Sequence, residues 1–526
     1  MGEKITLGKL RIRCRFTAVT LLDCKIHEKY GEHTRTEIVC TVRGEEARAV
    51  FSDTGKNSLE IYAIEDSGRE EVLFTGLILC VELKEEGQYA QLCLHAVSNT
   101  WLMDVKRNSR SFQNAALTYQ DIAREIIGEY GADMQWNLPD PPIGSPLIQY
   151  QETDYRFLKR IFSHLKGEIV SADTAQKPCF LAGLGKGNDA GTINLKEHAY
   201  SLISYSDDKR IDQSRQERQI GYLIEGRDRM KVGDTARIEG REYHVMETET
   251  FFSQNVLHCN YRVFPNECFE KERIPAYGLK GVSLTGKVIR TGQEMVRLHL
   301  DIDREQEVSV AYDFPWKPIT GNLFYCMPEP GTRAALYFGK ADEGSGAVIM
   351  NIRENGEYCG ETADYHDRYF TSQNNKRMYL KPSEMGFLNR TDQNAEIALK
   401  DSASVQVKTN NKISVLAEGQ VELKGRNVTV ETPKEATLVR KDVISPTVIN
   451  LCNDVDIIGE AGNFSSNNEV TPKKKGLKRQ ENIEPYDLSG IYEGILSCIP
   501  AEYTGDALSD AIIGSLPLLM TGGKKK

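Results

Sequence analysis

The 526-residue sequence contains no CxxC pair, no HExxH, no GxSxG and no cysteine with an identifiable histidine partner. It therefore lacks the usual outlines of a structural zinc site, a zinc protease, a serine hydrolase or a thiol enzyme. Its twelve cysteines are scattered singly, in a chain too long to need disulfide staples, so they read as reduced thiols made in a cytoplasm. His258, Cys259 and Cys268 form the only His/Cys cluster along the sequence, and their spacing fits strand packing better than zinc. Long apolar runs are also missing. The longest in the tail, Ala511 to Met520, is interrupted by Gly514 and Pro517 and is about half of a membrane span. The opening segment MGEKITLGKLRIRCRF carries charges where a Sec signal needs an apolar stretch. Basic residues are too few for a nucleic-acid protein: 66 Lys and Arg face 76 Asp and Glu, net charge -10, with no domain-length basic stripe.

What is present is alternation. Residues 1–99 alternate apolar and polar in runs such as LRIRCRF, TEIVCTV, SLEIYAI and QLCLHAV, separated by turn clusters, and predict an antiparallel β module. The pattern changes at Thr118, an N-cap followed by Asp121, and then Ile122, Ala123, Ile126, Ile127 and Tyr130 at helical spacing, with Gly131 as the stop. Thr153 caps a second helix whose stripe is Phe157, Leu158, Ile161, Phe162 and Leu165, with Gly167 as its end. Strands resume from Glu168 to about Glu270. Residues 1–275 thus read as two β modules bridged by helices near 118–130 and 153–166. Residues 279–355 supply about five more strands, a number that suits an OB-like barrel. Residues 357–394 read as a loop-rich bridge.

The most informative stretch follows, at 395–465. Ile397, Val405, Ile413 and Val421 are each eight residues apart, and so are Leu399, Val407, Val415 and Leu423. Each octad holds an apolar-x-apolar strand and a polar, turn-forming remainder, so successive units are expected to turn a corner every eight residues. The phase slips at Val428 and Val430, and the pattern returns at Val455 and Ile457. Two inward residues per octad bury little in one chain, whereas three chains wound round one axis close a shared core with no free strand edges. An intertwined, trimeric β-helix or β-prism needle with these eight residues at its core is the expectation. The tail, 471–526, opens with the basic run KKKGLKR and continues with two short amphipathic helical patterns, fitting a solvated linker or a docking segment.

Candidate chemistry elsewhere is weak. GLGKGNDAGT at Gly183 lacks the Lys-Ser/Thr of a phosphate loop and reads as a glycine-rich hairpin loop. His299, Asp301 and Asp303 alternate on a predicted strand, which suits a metal or acid/base cluster but equally the wet face of any half-buried strand. No catalytic, cofactor or metal residue is assigned.

With these pieces in order, the chain resembles the VgrG family, the spike proteins of contractile injection systems related to phage tail hub-and-spike proteins. The matching segments are LTYQDIAREII, IQYQETDYRFLKRIFSHLKG and MPEPGTRAALYFGKADEGSGAVIMNIREN, followed by the octads, and together they span about residues 1–460. The resemblance implies a mainly β, multidomain homotrimer whose hub caps a hexameric inner tube protein and meets baseplate proteins. It implies a needle capped by a proline-alanine-alanine-arginine (PAAR-like) tip protein, with effector carriage through 471–526. A target membrane would be pierced mechanically, with no nucleic acid, no cofactor and no enzymatic step. Assembly would be cytoplasmic, followed by secretion or injection on firing. Two alternatives share much of this pattern: a phage tail baseplate hub without effector delivery, and a trimeric tailspike-like polysaccharide-degrading enzyme. The short solenoid and the Lys, Gln, Ser, Thr and Asn at outward octad positions speak against the enzyme.

Overall fold

Period-two alternation governs most of the chain, and the fold follows from where each alternating run finds its partner. The computed structural model describes residues 5–43, 58–86, 88–204, 220–321, 326–352, 359–372, 374–390, 394–432, 436–439 and 448–451. They fall into two compact units, one up to residue 354 and one from 355 onward.

The first unit is built on a twelve-stranded sheet. Its N-terminal half comprises β1 (Leu10–Arg13), β2 (Thr20–Lys29), β3 (Arg35–Arg43), β4 (Ser58–Ile64), β5 (Glu70–Glu86) and β6 (Tyr89–Ser98). One face of these strands packs Ile26, Ile38, Leu59, Phe74 and Leu92 into a single apolar core.

Between the halves lie β7 (Arg107–Phe112), helix α1 (Tyr119–Gly128), β8 (Asp133–Trp136), β9 (Leu147–Thr153), helix α2 (Asp154–Ser163), β10 (Ile169–Ser171) and β11 (Cys179–Ala182). The α1 start is a reciprocal capping box: Thr118 Oγ1 accepts from the Asp121 amide, while the Asp121 carboxylate accepts from the Thr118 amide. The Thr153 hydroxyl caps α2 by accepting from the Arg156 amide. Ile122, Ile126, Phe157, Ile161 and Phe162 bury the facing stripes of both helices. The α2 exit differs from the sequence expectation. Lys166, not Gly167, takes the left-handed conformation (φ 60°), and Gly167 is required because a Cβ there would lie 2.3 Å from Leu138 Cδ2.

The second half of the sheet contains β12 (Asp189–Thr192), β13 (Tyr200–Ser204), β14 (Ile220–Gly226), β15 (Thr235–Ile238), β16 (Arg241–Ser253) and β17 (Val256–Phe264). The main path runs β1-β4-β5-β6-β3-β2-β16-β17-β14-β13, with β15 paired to β16 and β12 paired to β15. The two halves fuse edge to edge where β2 pairs antiparallel with β16, Lys29 opposite Glu247 and Ile26 opposite Thr250. The glycine-rich segment at Gly183 is not a hairpin loop. It leaves β11 in one sheet and enters β12 in another, and Gly187 passes so close to Gly233 that a Cβ would meet that carbonyl oxygen at 2.3 Å.

A separate five-stranded antiparallel sheet completes the first unit, with β18 (Ser283–Gly292), β19 (Met295–Leu300), β20 (Phe314–Pro315), β21 (Arg333–Tyr337) and β22 (Ala347–Ile352) in the order β20-β19-β18-β21-β22. Val288, Leu298, Phe314, Leu336 and Val348 form its core.

The second unit is a five-stranded antiparallel meander: β23 (Arg368–Thr371), β24 (Lys376–Lys381), β25 (Glu384–Asn389), β26 (Ala395–Lys400) and β27 (Ser404–Thr409). Residues 357–394 are therefore not a loop-rich bridge, since three of these strands lie there. Met378 and Leu380, then Met385 and Phe387, carry the alternation, with Pro382 and Ser383 making the turn. A further hairpin pairs β28 (Ala436–Val439) with β29 (Val448–Leu451).

Candidate functional site

No cleft of converging acid, base and nucleophile emerges at the residues the sequence singles out. Strand β19 ends at Leu300, so His299, Asp301 and Asp303 do not share one strand face. Asp301 instead pairs with Arg333 and Thr285. His299 Nε2 lies 3.1 Å from the Asp303 backbone oxygen, and the Asp303 carboxylate reaches back to β7. Burial raises the Asp303 carboxyl, and hydrogen bonds from Ser111 oppose that shift. Nor do His258, Cys259 and Cys268 converge. His258 stacks on Phe251, whereas Cys259 is buried beside the Thr248 and Thr250 hydroxyls.

What the first unit does possess is a buried polar clamp between its helical layer and its small sheet. The Ser111 amide and hydroxyl each donate to one oxygen of Asp303 at 2.6 Å, and Gln113 Nε2 donates to the Leu298 carbonyl at 3.1 Å. Arg160, on α2 and only 3% exposed, donates to Glu343 from the small sheet, which is 2% exposed. The same guanidinium donates to Glu152 at 3.1 Å and to the Ile148 carbonyl at 2.8 Å. Each of its three nitrogens donates to an acceptor, and two carboxylates flank it, so a charge buried this deeply is tolerated. The clamp fixes the helical layer against the small sheet.

The second unit presents the opposite condition, an apolar face largely exposed among the described residues. Register places Phe370, Met378, Phe387, Ile397 and Val407 side by side across five strands, and Leu380, Met385, Leu399 and Val405 in a second row. Directly opposed residues share a face. Met378 apart, these side chains are between 38% and 68% exposed. The reverse face is closed by its own chemistry: Tyr379 packs over Gly386 and donates to Glu396 at 2.7 Å, and the Arg377 guanidinium sits 4.9 Å over the Tyr369 ring.

The first two octads thus lie in β26 and β27, joined by a hairpin that reverses the chain within one sheet. They do not turn a corner as the octad reading expects. Ile413, Val415, Val421 and Leu423 lie in a stretch, 410–432, without strand pairing, and all four are 51–79% exposed. A lone chain offers these residues no partner strand, which is the physical reason the repeat is not closed here. The expected continuation at Val455 and Ile457 and the tail at 471–526 lie outside the described residues.

Residues 27–165 match the phage tail baseplate hub family (GPD). No curated protein matches the sequence. Among solved structures, VgrG in the lidded Francisella PdpA-VgrG complex aligns at 8% identity over 78% of this chain and 80% of that one, with a TM-score of 0.52. The half-lidded complex gives 8% identity over 78% and 88%, with a TM-score of 0.51. A component of the E. coli type VI secretion system, described as similar to T4 bacteriophage tail proteins gp27 and gp5, aligns at 14% identity over 66% of this chain and 100% of that one, with a TM-score of 0.48. At such identities the Francisella likeness is one of fold.

Proposed function

Starting from a VgrG-like chain with a phage tail baseplate hub segment at 27–165, we propose that it is the trimeric central spike of a contractile injection apparatus. Baseplate hubs and VgrG-like spikes are structural, non-enzymatic proteins, and the clamp described above suits a part that transmits force rather than one that turns over substrate.

The observation that carries the proposal is the uncovered apolar face of the meander together with the octads beyond it. Fully burying one Val, Leu, Ile, Phe or Met gains about 1.5–3 kcal/mol. Covering the exposed half of the seven such side chains from Leu380 to Val407 would contribute on the order of 5–10 kcal/mol per chain, enough to hold copies together against the cost of association. Soluble proteins seldom leave a patch of this kind open. Three copies, each continuing from its meander into 410–432, would supply the missing partner strands and form the needle, with Ile397, Leu399, Val405, Val407, Ile413, Val415, Val421 and Leu423 in its core. The five-stranded sheet at 283–352 would be the OB-like domain that precedes the needle in the chain.

In this reading the twelve-stranded sheets of three chains cap a hexameric inner tube within a baseplate. The needle pierces the target envelope, and residues 471–526 carry a tip protein or an effector. The Francisella relative was solved in complex with PdpA, which supports carriage of a partner. The baseplate-hub match equally favours a phage tail hub without effector delivery, and the two readings share the trimer.

The test is mass. Light scattering on the intact protein should give three chains, and Val407→Asp with Val415→Asp should release monomers, because burying unpaired carboxylates costs several kcal/mol at each symmetry-related site. A monomer mass for the unmodified protein at micromolar concentration would sink the proposal.

A further inference from the structure

Three strands of the large sheet bring together side chains that the sequence keeps apart. Cys93 and His95 alternate on β6, Glu82 lies on β5, and Glu37 on β3. The ladders set Glu82 opposite Cys93, and Glu37 opposite His95, so all four occupy one face. The residues between them, Ile38, Leu92 and Leu94, point into the core on the other side. On the outer face Cys93 Sγ is 3.6 Å from His95 Nε2 and 3.8 Å from Glu37 Oε1. His95 Nε2 is 3.8 Å from Glu82 Oε1. The ligand atoms of Glu82, Cys93 and His95 all lie within 4.8 Å of one another.

These separations have a chemical meaning. A tetrahedral zinc ion with a sulfur at about 2.3 Å and a nitrogen at about 2.0–2.1 Å holds those two atoms roughly 3.5–3.6 Å apart. Cys93 and His95 already stand at that spacing, and the Glu82 carboxylate, 3.8 Å from His95 Nε2, stands within reach of the same ion. Both ligands of the Cys-x-His pair are set by a rigid strand, so little ordering is required on binding. Thiolate with imidazole selects a borderline-soft transition metal and rejects the hard cations magnesium and calcium, which take all-oxygen sites.

We propose that Glu82, Cys93 and His95 form a binding site for one divalent transition metal of the zinc class. The ion joins β5, through Glu82, to β6, through Cys93 and His95. It is independent of the trimer proposal, since every ligand comes from one half-sheet of one chain.

The experiment is a cobalt titration of the full-length protein after chelator treatment and its removal. One Co²⁺ per chain should bind with thiolate-to-cobalt charge-transfer absorption and the intense visible bands of a tetrahedral site, and Zn²⁺, not Mg²⁺, should displace it. Cys93→Ser should abolish the charge-transfer band. Glu82→Gln, on an exposed side chain whose change leaves the fold intact, should weaken binding about tenfold or more. Cys268→Ser, at a buried thiol far along the chain, should change nothing. Should Cys93→Ser fail to fold, His95→Gln and Glu82→Gln decide the matter. The proposal is overturned if no charge-transfer band appears, if the band survives in Cys93→Ser, or if Glu82→Gln and His95→Gln both bind cobalt as tightly as the unmodified chain.

Discussion

Glu343→Ala is the sharpest probe of the clamp between the helical layer and the small sheet. The substitution removes the partner that Arg160 meets across the junction, while the guanidinium stays 3% exposed and unable to reach water. Stripping one member from a buried ion pair costs about 3–5 kcal/mol, most of it the penalty of the charge left behind. Glu152, within 3.1–3.3 Å of the same guanidinium, remains to share it, so the lower end, about 3 kcal/mol, is the expected value. Removing both partners, Arg160→Ala with Glu343→Ala, should cost less than the two single changes added together, with a coupling of about 2 kcal/mol, because neither member of the Arg160–Glu343 pair is then left behind without the other. The assay is hydrogen exchange resolved by segment alongside urea unfolding. Amides of β18, β19 and β21 should exchange on the order of a hundredfold faster in Glu343→Ala if the small sheet opens as a unit. A loss of about 1 kcal/mol or less, the size of an exposed pair such as Lys166–Glu270, would refute the reasoning.

Three further outcomes are expected. Burial and then Asp173 push the Glu28 carboxyl up to about 8 against Arg229. The folded chain then keeps a proton that the unfolded chain releases, so this contribution is complete below about pH 4.5 and is lost as pH rises towards 8. Glu28→Gln should flatten that slope in urea unfolding, and an unchanged slope would contradict the assignment. Glu247 behaves inversely: burial pushes it up, but His27 and Arg262 hold it down at about 2, so its contribution is present above about pH 4.5 and fades as pH falls towards 2. Glu247→Gln should remove that acid sensitivity, and acid denaturation curves that superimpose would exclude it. Gly76→Ala would place a Cβ 2.1 Å from the Val97 carbonyl oxygen. Backbone cannot yield there as a side chain tip would, so a loss of about 1–3 kcal/mol is expected, and an unaltered melting temperature would argue against the contact.

Local signals were legible where one chain segment satisfies them by itself. Thr118 with Asp121 and Thr153 announce their helices because a cap needs only three residues of neighbouring backbone. Properties set by a distant partner were not legible. Asp303 looks like one more polar residue on a strand until the fold brings Ser111 to it across 192 positions. The strands within 357–394 are six residues or fewer, too short for alternation to stand out from loop. Cys93 and His95 pass in the sequence as part of the alternating run QLCLHAV, and Glu82 joins them only through register. The octads announce a repeat, yet Ile397 and Val407 stay about half exposed among the described residues.

The edge-to-edge seam sets a schedule for biosynthesis. His27 on β2 meets Glu247 on β16 across 220 positions of sequence. At about 5–20 residues per second, a ribosome needs roughly 10–45 seconds to deliver that partner after β2 has emerged. Throughout this interval the N-terminal half-sheet can assemble its own core, yet β2 remains a bare edge, open to any other nascent strand. Slow, non-local closure of this kind places the hazard in the polysome, where neighbouring copies of the same edge are crowded together. Expression at reduced temperature or with a holding chaperone should therefore raise the soluble yield of this chain more than that of its N-terminal half-sheet joined directly to β16 and β17.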